Sequence, residues 1–343
     1  MKSCVIGTFL VICLAIGWGS VTAIGQAVPD TVAGHVAAAK AAGGELWPSI
    51  VNQLCTSATQ PPPPARGAGA AQQAPAPQGP PPRNEWYHGP EKVFDNMYVF
   101  STKTPGGFGG VAAWAIKTSA GIILIDAIYD YAVKDMIDSG MRSAGLDPTQ
   151  IKDIFVTHGH GDHFGGVKYL QELYSPHVYL SAADWDLMSR PPATPNPNAQ
   201  PIPKRDMVAT DGQKLTVGDT TITVYLTPGH TPGTISFLIP VKINGASHMA
   251  AFWGGTAIGR GSQLDNLKLY SASAKRFSEV ATQAKADIML SNHDAFGEYF
   301  KRIDAMKANP NAANPFVVGT DGVRRYLTVL DQCAQAQIAA KRE

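Results

Sequence analysis

The stretch Thr157-His158-Gly159-His160-Gly161-Asp162-His163 puts four metal-capable side chains within six positions, a density that packing or surface chemistry seldom produces. Residues two apart on an extended segment point the same way, so His158 and His160 can grip one ion while Asp162 and His163 turn toward a second. Gly165 and Gly166 then relieve crowding, and Val167, Leu170 and Leu173 recur at helical spacing, which predicts a strand-to-helix loop.

Two ions with open positions need about three protein ligands each, so the set must be completed further along. His230 follows the alternating run Thr223 to Leu226 in the turn Thr227-Pro228-Gly229-His230-Thr231-Pro232-Gly233, where Pro and Gly aim one imidazole. His293 follows Asp287-Ile288-Met289-Leu290-Ser291-Asn292, again the end of a short apolar strand. Three strand ends delivering histidines predict a site on the rim of a sheet.

The H-x-H-x-D-H run, the Pro-Gly-His-Thr-Pro-Gly turn and the late Asn-His-Asp resemble the metallo-β-lactamase superfamily, over roughly residues 85 to 300. The resemblance implies an α/β fold, the αβ/βα four-layer sandwich, with two zinc ions at the sheet edge. By position, His158, His160 and His230 would hold the first zinc, and Asp162, His163 and His293 the second.

One departure narrows the resemblance. Most hydrolases of this superfamily, glyoxalase II and many lactonases among them, place a metal-bridging aspartate in a Gly-Asp-Thr-like turn after a strand. Here that turn reads Phe252-Trp253-Gly254-Gly255-Thr256-Ala257, with Gly255 at the carboxylate position. Five imidazoles and one carboxylate remain, a set that suits zinc better than manganese or iron. A site with neither bridging Asp nor Cys is similar to the third subclass of metallo-β-lactamases, as is the stretch Asp206 to Asp219.

Asp162 can also cap the helix that follows, a role compatible with ligation. Asp126 closes the apolar run Gly121 to Ile125 and resembles the superfamily's early strand-end aspartate, which implies an acceptor orienting a ligand or the attacking water; by sequence alone a turn or helix cap reads equally well. His35, His88, His177 and His248 read as ordinary structural histidines.

The chain has 343 residues, 44% hydrophobic and 16% charged, with a net charge of +1. That suffices for one large core and offers no field for nucleic acid or membrane phosphate. Lys2, the apolar run Val5 to Ile16 and Val21-Thr22-Ala23 read as a signal peptide over residues 1–23, with cleavage as late as Ala27 as a second choice. A bacterial periplasmic or secreted location follows, with no membrane association after cleavage. Residues 28–58 read as a helical extension and 59–84 as a Pro/Ala/Gly-rich linker. Residues 85–343 form the catalytic domain, closed by a C-terminal helix. Cys4 and Cys13 leave with the leader, so Cys55 and Cys333 are an even pair in an oxidising compartment: a disulfide, or two unrelated buried thiols. From Val93 onward short strands, the first read as Val93 to Ser101, alternate with helices, among them Phe296 to Ala308, in two βαβ-rich halves.

The resemblance implies a zinc-activated water attacking an amide or ester carbonyl of a small-molecule substrate, with Asp162 orienting the water and no Ser, Cys or Lys nucleophile. The loops Thr104 to Gly110, carrying Phe108, and Pro191 to Pro203 are expected to wall the cleft. Thr256, Arg260 and Ser262 are candidates to anchor a substrate carboxylate. A β-lactam hydrolase is the leading expectation, a dizinc lactonase, esterase or amidohydrolase the alternative, and a non-catalytic binding module the third. No feature of the chain sets an oligomeric state.

Overall fold

The computed structural model describes residues 27–59, 79–103, 110–190, 198–259 and 261–342. The expected leader, most of the linker, Phe108 and Arg260 lie outside the described residues.

Two helices, α1 (Val32–Gly43) and α2 (Pro48–Thr59), precede the sandwich. After a short turn α3 (Arg83–Trp86) come β1 (Glu91–Phe94), β2 (Met97–Ser101), β3 (Ala112–Thr118) and β4 (Gly121–Ile125). A helix follows as α4 (Asp130–Val133), one π-helical turn (Lys134–Asp138) and α5 (Ser139–Ser143). Next come β5 (Ile151–Phe155), α6 (Gly161–Phe164), α7 (Val167–Tyr174), β6 (His177–Leu180), α8 (Ala182–Met188) and β7 (Met207–Val208). The second half holds β8 (Lys214–Val217), β9 (Thr220–Leu226), β10 (Ile235–Ile243), β11 (Ala246–Trp253), α9 (Leu264–Gln283), β12 (Ile288–Ser291), α10 (Asp294–Gly297), α11 (Tyr299–Ala308) and α12 (Gly319–Ala340).

Strands β1 to β7 form one sheet in sequence order, antiparallel as far as β4 and parallel from there, and a second sheet runs β12-β11-β10-β9-β8. Side-chain alternation decides the layers. On β3, Ala112, Trp114 and Ile116 face the core between the sheets, joined by Phe155, Phe237 and Phe252. Ala113 and Ala115 face the other way, onto a core that includes Ile137, Leu170 and Trp185. The outer face of the second sheet packs Trp253 against Tyr270 and Phe277 of α9 and Tyr326 and Leu330 of α12. Helices, sheet, sheet, helices is the αβ/βα sandwich expected.

Several boundaries differ from the pattern. The run Val93 to Ser101 is a tight hairpin, not one strand, because Asp95-Asn96 turns the chain between Phe94 and Met97. The stretch Phe296 to Ala308 is broken at Glu298, whose φ is +49°. Leu173 is exposed although Val167 and Leu170 on the same helix are buried.

The N-terminal helices are fastened to α12. Trp47 meets Tyr326 edge-on at 4.9 Å, donates from Nε1 to the Gly322 carbonyl, and carries the Arg302 guanidinium over its ring. A disulfide joins Cys55 on α2 to Cys333 on α12, closing 278 residues of sequence. Since such a long loop restricts the unfolded chain strongly, Cys333→Ser should lose about 2–5 kcal/mol of stability in denaturant unfolding. Thiol titration of the denatured protein lacking residues 1–26, and with them Cys4 and Cys13, should find no free cysteine, and two titratable thiols would contradict the bridge.

Candidate metal centre

The six expected residues fall into two groups whose ligand atoms lie within 4.8 Å of one another: His158, His160 and His230, and Asp162, His163 and His293. His158 and His160 leave the end of β5, Asp162 and His163 occupy the first turn of α6, His230 sits in the turn between β9 and β10, and His293 follows β12. The rings of His158 and His163 lie 4.1 Å apart, so the groups share a wall.

Hydrogen bonds fix which nitrogen three of the rings present. A carbonyl or carboxylate can only accept, so His158 Nδ1 donates to the Gly254 carbonyl (2.9 Å), His230 Nδ1 to the Ala257 carbonyl (2.5 Å) and His163 Nδ1 to Asp126 Oδ2 (2.8 Å). The Nε2 lone pairs then converge. His230 Nε2 is 3.0 Å from His158 Nε2 and 3.1 Å from His160 Nδ1. In the second group His163 Nε2 is 3.2 Å from His293 Nε2 and 3.3 Å from Asp162 Oδ2, which is 3.5 Å from His293 Nε2. Ligand atoms brought this close, with the other nitrogen of His158, His163 and His230 already committed, fit a cation between them, as metal-bound histidines generally arrange. The donor chemistry is that of zinc.

Electrostatics differ between the groups. Burial pushes His158 well below the usual imidazole range and His230 down to about 3, with neighbouring imidazoles adding to the effect; burial also lowers His160. His163 is opposed by burial too, yet Asp162 and Asp126 raise it to about 10. Burial works against ionised Asp162, but His163, His293 and His160 overcome it and hold the carboxyl well below its usual range. A sign follows for metal loading. At pH 7, above the usual imidazole range, the three lowered histidines are neutral and should release almost no proton on taking an ion, whereas His163 carries a proton that the second ion must displace. Calorimetry in buffers of different ionisation enthalpy should show about one proton more for the second ion; equal release would contradict this assignment.

Asp126 is wholly buried in a left-handed backbone conformation (φ +61°) that Asp tolerates. Besides His163 it accepts from Thr157 N (2.7 Å) and Thr157 Oγ1 (2.9 Å), so it packs behind the second group rather than capping α4. Thr256 is buried, its hydroxyl 3.3 Å from that of Ser291. Ser262 is part-exposed just before α9. In the described part of the second loop, Gln200 packs on Gly161 and Gly165 and accepts from Asp130 N. The remaining histidines have other partners: His35 bonds Gln332, His177 pairs with Asp206, His248 with Asp287, and His88 packs on Phe300.

Two residues emerge only from the structure. Asn292 Nδ2 donates to the Gly254 carbonyl (2.7 Å) and Thr157 Oγ1 (3.1 Å). It thereby ties the carbonyl that orients His158 to the residue preceding His293. Asp184 lies buried beneath both loops of the three-histidine group.

Comparison with known proteins agrees with this fold. The model of the metallo-beta-lactamase superfamily matches residues 106–242. Among solved structures the chain is similar to BJP-1, a subclass B3 metallo-β-lactamase of Bradyrhizobium japonicum, at 25% identity and a TM-score of 0.56, covering 71% of this chain and 90% of that one. In fold it is similar to the Rm3 metallo-β-lactamase, at 21% identity and a TM-score of 0.63, covering 76% and 97%. Among curated proteins it is similar to a hydroxyacylglutathione hydrolase of Pseudomonas syringae pv. syringae, 29% identical over 160 residues, or 40% of this chain and 56% of that protein. The chain spans about half the length of the curated relatives it matches. Sandwich, paired ligand groups and the partial family match define the class: a chain with the metallo-β-lactamase fold that carries two candidate metal-ligand groups. Its similarity extends to a subclass B3 metallo-β-lactamase among the solved structures.

Proposed function

We propose that the chain is an exported dizinc hydrolase that opens β-lactams, with His158, His160 and His230 holding one ion and Asp162, His163 and His293 the other. Gly255 carries the reading. A Cβ there would stand 2.8 Å from His230 Cβ and 2.8 Å from Thr234 Cγ2. The position that bears a bridging carboxylate in glyoxalase II-type hydrolases is thus packed shut against a metal-facing histidine. The disulfide supports an oxidising compartment. Among the described residues no helix is long and apolar enough to cross a membrane.

When bound, the ions would supply Lewis acidity that makes water nucleophilic near neutral pH and polarises a scissile carbonyl. The chain supplies the rest. Gly254 and Ala257 carbonyls hold two imidazoles in one tautomer, and Asp126 does the same for His163. Asp162, partly exposed and ionised through neutral pH, accepts a hydrogen bond from the attacking water and orients it.

The curated relatives favour a second reading, thioester or ester hydrolysis, since they are hydroxyacylglutathione hydrolases. Nitrocefin assayed beside lactone and thioester panels, with zinc content measured, separates the two. A lactone or thioester turned over at kcat/KM far above any β-lactam would overturn the first. Arg260, outside the described residues, and Ser262 remain the proposed carboxylate anchors. Arg260→Ala should raise KM for anionic β-lactams about tenfold or more with kcat nearly unchanged, because it removes binding felt equally in ground and transition states.

A further inference from the structure

Asp184 is wholly buried on the first turn of α8, yet it does nothing for that helix's own backbone. Ser181 caps the helix, accepting from Asp184 N at 3.2 Å. The Asp184 carboxylate reaches outward instead. Its Oδ2 accepts from Gly159 N (2.9 Å) and Thr231 Oγ1 (2.6 Å), and its Oδ1 from Gly233 N (2.8 Å). Gly159 stands between His158 and His160, while Thr231 and Gly233 follow His230. One carboxylate therefore spans the two loops that carry all three histidines of the first group. The approach is close: a Cβ at Gly233 would fall 1.9 Å from Ser181 Oγ and 2.8 Å from Asp184 N.

We propose that Asp184 is the positioning residue of the three-histidine group, clamping the His158–His160 loop to the His230 turn so that their nitrogens converge on one ion. The inference rests on the reading that this group holds a metal. Without the clamp each loop keeps its strand but loses the carboxylate that the two share, which helps bring His230 Nε2 to its two neighbours. The carboxylate also places a negative charge behind three neutral imidazoles, which favours a cation among them.

The test titrates Co²⁺ and Zn²⁺ against a chromophoric chelator in a His293→Ala background, which reads the three-histidine group alone. Adding Asp184→Asn, whose amide cannot accept from Gly159 N and Gly233 N together with Thr231, should weaken the ion by about 10–100-fold and alter the Co²⁺ visible spectrum. Thr231→Val, which removes one contact and keeps the carboxylate, should weaken it several-fold in the same direction and serves should the Asp184 variant fail to fold. In a His230→Ala background Asp184→Asn should leave the second group's affinity unchanged. A merely structural role would lower the melting temperature without moving affinity or spectrum. Unchanged affinity and spectrum in Asp184→Asn, or in a folded Thr231→Val where the former does not fold, overturns the proposal. If the His293→Ala protein itself binds neither ion, the metal assignment falls first and the clamp with it.

Discussion

His230→Ala should abolish turnover of every substrate alike, lowering kcat by well over a hundredfold while the protein stays folded. His230 supplies the Nε2 that closes the three-histidine group, 3.0 Å and 3.1 Å from its partners. Its Nδ1 is anchored on the Ala257 carbonyl, so no alternative ring orientation is at hand to be rescued by a neighbour. Removing a residue that merely orients a ligand typically costs about 10–100-fold, and removing the ligand itself takes Lewis acidity and water activation together. The contrast with Arg260→Ala is the check: a ligand loss moves kcat for β-lactam, lactone and thioester equally, whereas an anchor loss moves KM for anionic substrates only. The fold should tolerate the change, because the turn is also held by Thr231 and Gly233 on Asp184 and by Ser273 on the Pro228 carbonyl. A variant retaining more than about a tenth of wild-type kcat on any substrate would remove His230 from the metal centre.

The metal groups are legible in the chain because imidazoles at strand ends, flanked by Gly and Pro, have few packing roles that would produce the same spacing. The layers are legible because β3, β5 and β10 alternate or run apolar as strands buried on both faces must. Asp184 is hidden for a physical reason: Ser181-Ala182-Ala183-Asp184 has the form of a capping box, and half of that signature is real. Its partners lie 25 to 49 residues away, across loops whose proximity only the sandwich creates. Asn292 is concealed in the same way, since its amide acts on Gly254 and Thr157 from a different strand. Thr256 stands beside Gly255 in sequence and reads as a rim residue, but Tyr270 OH donates to its carbonyl and draws it into the interior.

Asp126→Asn should strip the second ion and leave the first. The substitution is nearly isosteric, so its effect isolates the hydrogen-bond polarity of one oxygen. Asp126 Oδ1 accepts from Thr157 N, which an amide oxygen can still do; Oδ2 accepts from both Thr157 Oγ1 and His163 Nδ1, which an NH2 group cannot. Facing a donor, His163 must surrender its Nδ1 proton and carry it on Nε2 instead, the nitrogen that points at Asp162 and His293. A protonated Nε2 is no ligand. Affinity for the second ion should fall by about a hundredfold or more, and zinc content after dialysis should approach about one per chain where the proposed dizinc wild type should retain about two. The metal-free protein gives an independent reading. His163 is raised to about 10 in the fold from the usual 6.5, so its stabilising contribution is complete below about pH 6.5 and fades as pH rises toward 10. In Asp126→Asn one of the two carboxylates that raise it is gone, so the metal-free variant should lose about 3 kcal/mol near pH 6 and much less near pH 10. Wild-type zinc retention by the variant, with the same stability difference at both pH values, would show that Asp126 neither sets the His163 tautomer nor supports its charge.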